Sequence, residues 1–171
     1  MTSKDLRPTE YNPYYKTYLN QTKNLDLKTG LPSNHEQVLA FLKAIPKEKQ
    51  EYRYAEGKWT IKEVLLHIID TERIFAYRAL RIARQDQTPL QGFDQDDYVA
   101  PSKANRRSFE SLLNEYKAVR QATIALFDSF DDEMLVAIGT ASNSPISVRA
   151  LGFIIMGHEN HHCEVVRERY L

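Results

Sequence analysis

Apolar residues recur along this chain at steps of three and four in four stretches, the spacing that gathers them on one face of a helix. The first stretch follows a cap at Ser33-Asn34 and carries Val38, Leu39, Leu42 and Ile45 before Pro46 stops it. The second opens on Thr60-Ile61-Lys62-Glu63, a capping-box sequence, and runs without glycine or proline to about Arg84. On it Ile61, Leu65, Ile68, Phe75, Ala79 and Ile82 form one stripe, and Val64, His67, Thr71, Ile74 and Arg78 form the adjacent one. The third starts at Ser108, includes Leu112, Tyr116, Val119 and Phe127, and ends near Phe130. The fourth is capped by Ser147 and reaches about Arg169, with Val148, Leu151, Ile155, His158, His162 and Val165 in its core-facing stripe. The alternating pattern of strands is weak throughout. Four amphipathic segments with connections of very unequal length predict an all-α fold, a four-helix bundle in one domain spanning 1–171.

The connections differ in character. Residues 1–32 are polar, rich in tyrosine and punctuated by Pro8, Pro13, Gly30 and Pro32, which reads as an irregular arm packed outside the core. Residues 46–59 read as a loop with Trp59 as an apolar anchor. Residues 85–105 hold Pro89, Gly92 and Pro101 and read as a long loop, of the kind that often covers a site. Its acidic cluster of Asp94, Asp96 and Asp97 lacks the glycine and distal glutamate of an EF-hand, so a solvated loop is expected there. Residues 131–135 form a short capped helical turn, and 139–145 a turn-rich connection.

Charge narrows the function. The 23 basic residues balance the 23 acidic ones, which leaves no electrostatic footprint for nucleic acid or an anionic membrane. No apolar run is long enough to span a bilayer, and no signal segment opens the chain. The single cysteine, Cys163, cannot form an internal disulfide. Together these features lead us to expect a cytoplasmic protein.

The chemistry concentrates in Gly157-His158-Glu159-Asn160-His161-His162. On a helix, His158 and His162 lie one turn apart on the same face, where two imidazoles can grip one divalent ion. They occupy stripe positions where a bundle would carry leucine, and burying them costs stability unless something satisfies them. His161 is also within reach of His158, so spacing alone leaves the second partner open, while the stripe favours His162. The bland alternative is a polar helix end with solvated histidines. The letters also read His-Glu-x-x-His, the metalloprotease pattern, but only nine residues follow His162 and no downstream glutamate is placed to complete such a site. A third ligand has to come from upstream, and His67 is the best-placed candidate, although a lone histidine there is usually a satisfied core residue. Cys163 is turned about 100° from His162 and is not expected to bind. Three neutral imidazoles suit zinc, nickel, copper or iron and favour an open position beside the ion. Glu159 is a candidate base or a solvated residue. Arg78 is expected in a core-edge salt bridge, with a substrate carboxylate as the alternative.

Lys58–His67, Asp70–Arg78, Gly92–Val99 and Gly157–His162 with Arg167–Leu171 together resemble the DinB-like (damage-inducible) superfamily of four-helix-bundle metalloenzymes. The resemblance implies a metal ion, zinc or nickel foremost, held by one histidine of the second helix and two of the last, which map onto His67, His158 and His162. It also implies a cytosolic protein, often a homodimer, with no DNA role. Characterised members include thiol S-transferases that use low-molecular-weight thiols such as bacillithiol, and a mycothiol-dependent maleylpyruvate isomerase. The expectation is therefore a metal-dependent enzyme of thiol S-transferase or hydrolase type, activating a small thiol or water. The alternative is a non-catalytic metal-binding or stress-response bundle. An open pocket beside the histidines would favour the enzyme, and a closed site with a fourth protein ligand the alternative.

Overall fold

The computed structural model describes all 171 residues. Seven helices and one hairpin follow in the order α1 (Lys16–Asn20), α2 (Leu27–Lys43), α3 (Ile61–Ala83), α4 (Gln95–Ser102), α5 (Phe109–Asp128), α6 (Asp132–Val136), β1 (Ile138–Ala141), β2 (Ser144–Ser147) and α7 (Val148–Arg169). The four long helices α2, α3, α5 and α7 make a four-helix bundle. In it α3 packs on α7 and α5, and α2 packs on the same two, so α2 and α3 occupy opposite corners although they are consecutive. The long 44–60 segment crosses between those corners. The caps are those written in the sequence: Thr60 and Glu63 close a reciprocal box on α3, and the Ser108 and Ser147 hydroxyls accept from the amides of Ser111 and Ala150.

Three elements depart from the sequence reading. Helix α2 begins at Leu27, six residues before Ser33, because the Asp26 carboxylate caps it by accepting from the amides of Lys28 and Thr29. Pro32 lies inside this helix, where its missing N–H removes one intrahelical bond, a local cost that the capped first turn absorbs. The expected 85–105 loop contains α4, capped by Asp94, so the acidic cluster is a helix start. The 139–145 connection is an antiparallel hairpin whose turn residues Ser142 and Asn143 both have positive φ, the conformation that matches the twist of paired strands.

The core has two apolar halves. One gathers Leu27, Leu31, Phe75, Phe127 and Phe153; the other gathers Val38, Leu65, Ile69, Leu112 and Val166. Between them lies a polar layer to which each long helix contributes. Arg120, fully buried, donates through Nε and Nη2 to the two carboxylate oxygens of Glu72, both at 2.8 Å, and through Nη1 to Glu159 at 2.6 Å. Glu159 also accepts from Asn34 at 2.5 Å and from the Tyr116 hydroxyl at 2.7 Å. A bidentate guanidinium with every carboxylate oxygen engaged is the arrangement in which a buried charge cluster is tolerated.

Candidate metal centre

Helix α3 carries His67 near its middle, and α7 carries His158 and His162 one turn apart. Packing of α3 on α7 brings the three rings edge to edge, with centroids 4.9, 4.9 and 4.5 Å apart. His67 Nε2 lies 3.0 Å from His158 Nε2, and His162 Nε2 lies 3.1 Å from the same atom. One ligand atom from each ring lies within 4.8 Å of the others. Behind His67 the Thr71 hydroxyl stands 3.4 Å from Nδ1, in position to accept its proton and leave Nε2 bare. Trp59 packs its ring on His67 from the other side.

Burial holds all three imidazoles neutral. It lowers His67 to about 4 and, with His67 and His161 adding to it, lowers His162 to about 3; His158 is pushed well below its ordinary value by burial and by His162 and His67. Neutrality is also the state that ligates. His158 Nε2 faces two neighbours with a single site, either one proton or one lone pair, so one of the two short contacts has no hydrogen bond to make. A cation resolves that conflict. In a tetrahedral site with N ligands at about 2.0–2.1 Å, neighbouring nitrogens are about 3.3 Å apart, close to the two separations from His158 Nε2. The donor set and its spacing fit a divalent transition-metal ion.

The remaining candidates fall elsewhere. His161 is partly exposed, lies against Tyr18 and is outside the three-ring cluster. Glu159 is a correction to the solvated reading: it is buried, and its carboxylate points into the polar layer, where it accepts from Arg120, Asn34 and Tyr116. One residue on from a core-facing histidine, helical rotation turns it about 100° away. Cys163 also lies off the cluster, and burial raises its thiol to about 12. Arg78 is a second correction, because it forms no salt bridge. Only 2% exposed, it donates through Nη2 to the Gln91 carbonyl at 2.7 Å and the Ser142 hydroxyl at 3.2 Å.

A cavity of about 470 Å³ opens directly beside the histidines. His158 and Thr71 lie at one part of its wall, Arg78 and Phe93 at another, and Tyr15 and Tyr18 close the side formed by the N-terminal arm. Gly157 permits this closure. A Cβ built there would stand 2.0 Å from the Tyr18 carbonyl, so only glycine lets α1 lie across α7 at the level of His158. Tyr18 then packs edge-on against His158. The arm is itself tied down by Glu10, which accepts from Ser147 Oγ and from Arg149. The sequence marked these tyrosines only as part of a polar, tyrosine-rich arm; nothing in their spacing pointed to His158.

A family model described as the DinB superfamily matches residues 32–166, most of the chain and the whole histidine set. The chain belongs to the DinB superfamily. Its fold is shared with YfiT from Bacillus subtilis, at 16% identity, a TM-score of 0.72 and coverage of 92% of this chain and 93% of that one. YfiT is described as a probable metal-dependent hydrolase with an unusual four-helix bundle topology. A curated relative from Oceanobacillus iheyensis, named as a putative metal-dependent hydrolase, is 26% identical over 117 residues, 67% of this chain and 66% of the relative. The chain thus aligns with slightly under two thirds of that relative's length. The DinB match takes in all of α3 and α5 and most of α2 and α7, whereas the tyrosines at 14, 15 and 18 precede it. No helix of the fold is long and apolar enough to cross a membrane.

Proposed function

We propose that this DinB protein is a metal-dependent enzyme of hydrolase type, with one divalent ion, zinc or nickel, held by His67, His158 and His162 and a small-molecule substrate bound in the adjoining cavity. The observation that carries the reading is the cavity itself. The three imidazoles reach it through His158, and no fourth protein ligand joins them. A purely structural site would be closed by a fourth ligand. The names of the Oceanobacillus and Bacillus relatives support the same class.

When bound, the ion supplies a Lewis-acid centre that acidifies a water or a thiol beside it. The chain's own residues do the rest. Thr71 fixes the His67 tautomer, Tyr18 packs on His158 and Trp59 on His67 to hold those rings in place, and the aromatic wall orients the substrate. Transfer to a low-molecular-weight thiol is a second reaction the same site supports, since neutral imidazoles leave the ion's charge available to stabilise a thiolate. A homodimer in the cytoplasm is the setting we assign to it, without a nucleic-acid partner, in keeping with zero net charge.

Elemental analysis of protein purified without added metal, followed by assays of that preparation with ester, amide and thiol-acceptor panels, tests the proposal. One equivalent of ion and metal-dependent turnover are expected. Absence of metal uptake, or full uptake after all three histidines are replaced, would overturn it.

A further inference from the structure

Arg78 stands out among the charged residues of the core. Glu72, Arg120, Glu159 and Glu10 all have opposite charges in contact. Arg78 is as buried as they are, yet none of the chain's ion pairs includes it. Its bonds from Nη2 end on neutral oxygens, and the further partner beside it is the Tyr15 hydroxyl, so no carboxylate of the chain meets the guanidinium. Its guanidinium carbon lies 5.6 and 5.9 Å from the Phe75 and Phe93 ring centroids, contacts that attract the cation but supply no counter-ion. A buried, uncompensated guanidinium is costly unless a ligand supplies the anion.

Its position in the cavity gives that anion a context. Arg78 follows Thr71 by seven residues on α3, two turns and about 10 Å along the helix axis, on the same face. Thr71 supports His67, so the cavity has the histidine cluster at one end and the guanidinium at the other. Between them the wall is aromatic, made by Tyr15, Tyr18 and Phe75. The only carboxylate on the wall is Asp94, and it forms no ion pair with Arg78. A single guanidinium answers one negative charge; a phosphate dianion would find no second cation here. Guanidinium geometry matches a carboxylate through two parallel hydrogen bonds.

We propose that the cavity selects small organic monocarboxylates with an apolar or aromatic body, anchored by Arg78 so that the group to be transformed lies at the His67–His158–His162 end. This rests on the reading of the histidines as the reactive end, and Arg78 is here a specificity-determining residue. The body spans roughly 10 Å, within the size range of small-molecule pockets.

Calorimetric titration of the zinc-loaded chain with carboxylates from propanoate to 3-phenylpropanoate, and with the matching neutral amides, tests it. The acids should bind at least tenfold tighter than their amides, with 3-phenylpropanoate the tightest and inorganic phosphate weaker. Arg78→Gln should erase the acid-over-amide preference, and Arg78→Lys should retain part of it, with zinc stoichiometry unchanged in both. Equal binding of acids and amides by the wild type, or no binding of any acid at millimolar concentration, would overturn the proposal even if a variant failed to fold. A full preference surviving in Arg78→Gln would overturn it too, placing the carboxylate on the ion. The same titration on metal-free protein separates the two readings: failure of zinc binding at the histidines sinks the proposed function, while an Arg78-dependent acid preference stands without it.

Discussion

His67 and His158 are 91 positions apart in the chain, and their Nε2 atoms are 3.0 Å apart in the fold. The contact ties the middle of α3 to the middle of α7. An ion shared there makes metal affinity part of the folding free energy. Chelation should lower the melting temperature of the wild type. His67→Ala should lose most metal and, with it, most of the chelator response. Full metal content together with a wild-type melting shift in that variant would return His67 to the role of an ordinary core histidine.

The two neighbours at the end of the cluster should separate cleanly. His158→Ala and His162→Ala each remove most metal binding, whereas His161→Ala removes little, because His161 faces Tyr18 and solvent. Metal titration of the three variants decides this. Equal losses for His161→Ala and His162→Ala would mean that the helix presents a different face.

Glu159 should behave as a structural residue. Arg120→Met leaves Glu72 and Glu159 buried without their cation, and a loss of about 3–5 kcal/mol is expected from breaking such a cluster at one member. Glu159→Gln should lower stability in urea while keeping metal stoichiometry. An unchanged urea midpoint with abolished turnover would restore Glu159 as the base.

The metal-free protein should weaken in mild acid. The folded-state values of His67 and His162, about 4 and about 3, lie below the ordinary 6.5, so the unfolded chain takes up their protons first. Their contribution is full above about pH 6.5 and is lost as pH falls toward those lower values. Urea midpoints between pH 7 and 4 for the wild type and His67→Ala should show a shallower slope in the variant. Parallel slopes would show that His67 is not held neutral by the fold.

Gly157→Ala should displace α1. The added methyl would overlap the Tyr18 carbonyl, a backbone atom that cannot swing aside. Overpacking of this kind typically costs about 1–3 kcal/mol, and Tyr18 would lose its edge-on contact with His158. Protease sensitivity in residues 1–26 reports it; an unaltered digestion pattern and melting temperature would mean that the arm is not seated by this contact.

The bundle and the histidine triad were readable because both are periodic. His158 and His162 sit in a stripe that otherwise holds Leu151 and Ile155, and Thr60 with Glu63 marks where α3 starts. The start of α2 was missed because Pro32 reads as a breaker, and the Asp26 cap seven residues upstream of Ser33 is legible only once the second turn is allowed to hold a proline. The hairpin at 138–147 was missed because its turn, Ser142-Asn143, lacks the glycine that usually marks such a bend. Glu159 was misplaced for a different reason. Its spacing from His158 fits a protease motif, but its partners, Asn34, Tyr116 and Arg120, come from two other helices, and no local pattern reveals them. Arg78 was expected to meet a carboxylate of the chain, and the absence of one is visible only in three dimensions.

The tyrosines of the N-terminal arm line the cavity from outside the segment that carries the histidines. One wall of the cavity therefore comes from a different stretch of polypeptide than the histidines and Arg78, joined to them by the Glu10 tether and the clearance at Gly157. A chain built this way can have that one wall reshaped by exchanging some two dozen leading residues, with the histidines and Arg78 of the bundle left as they stand.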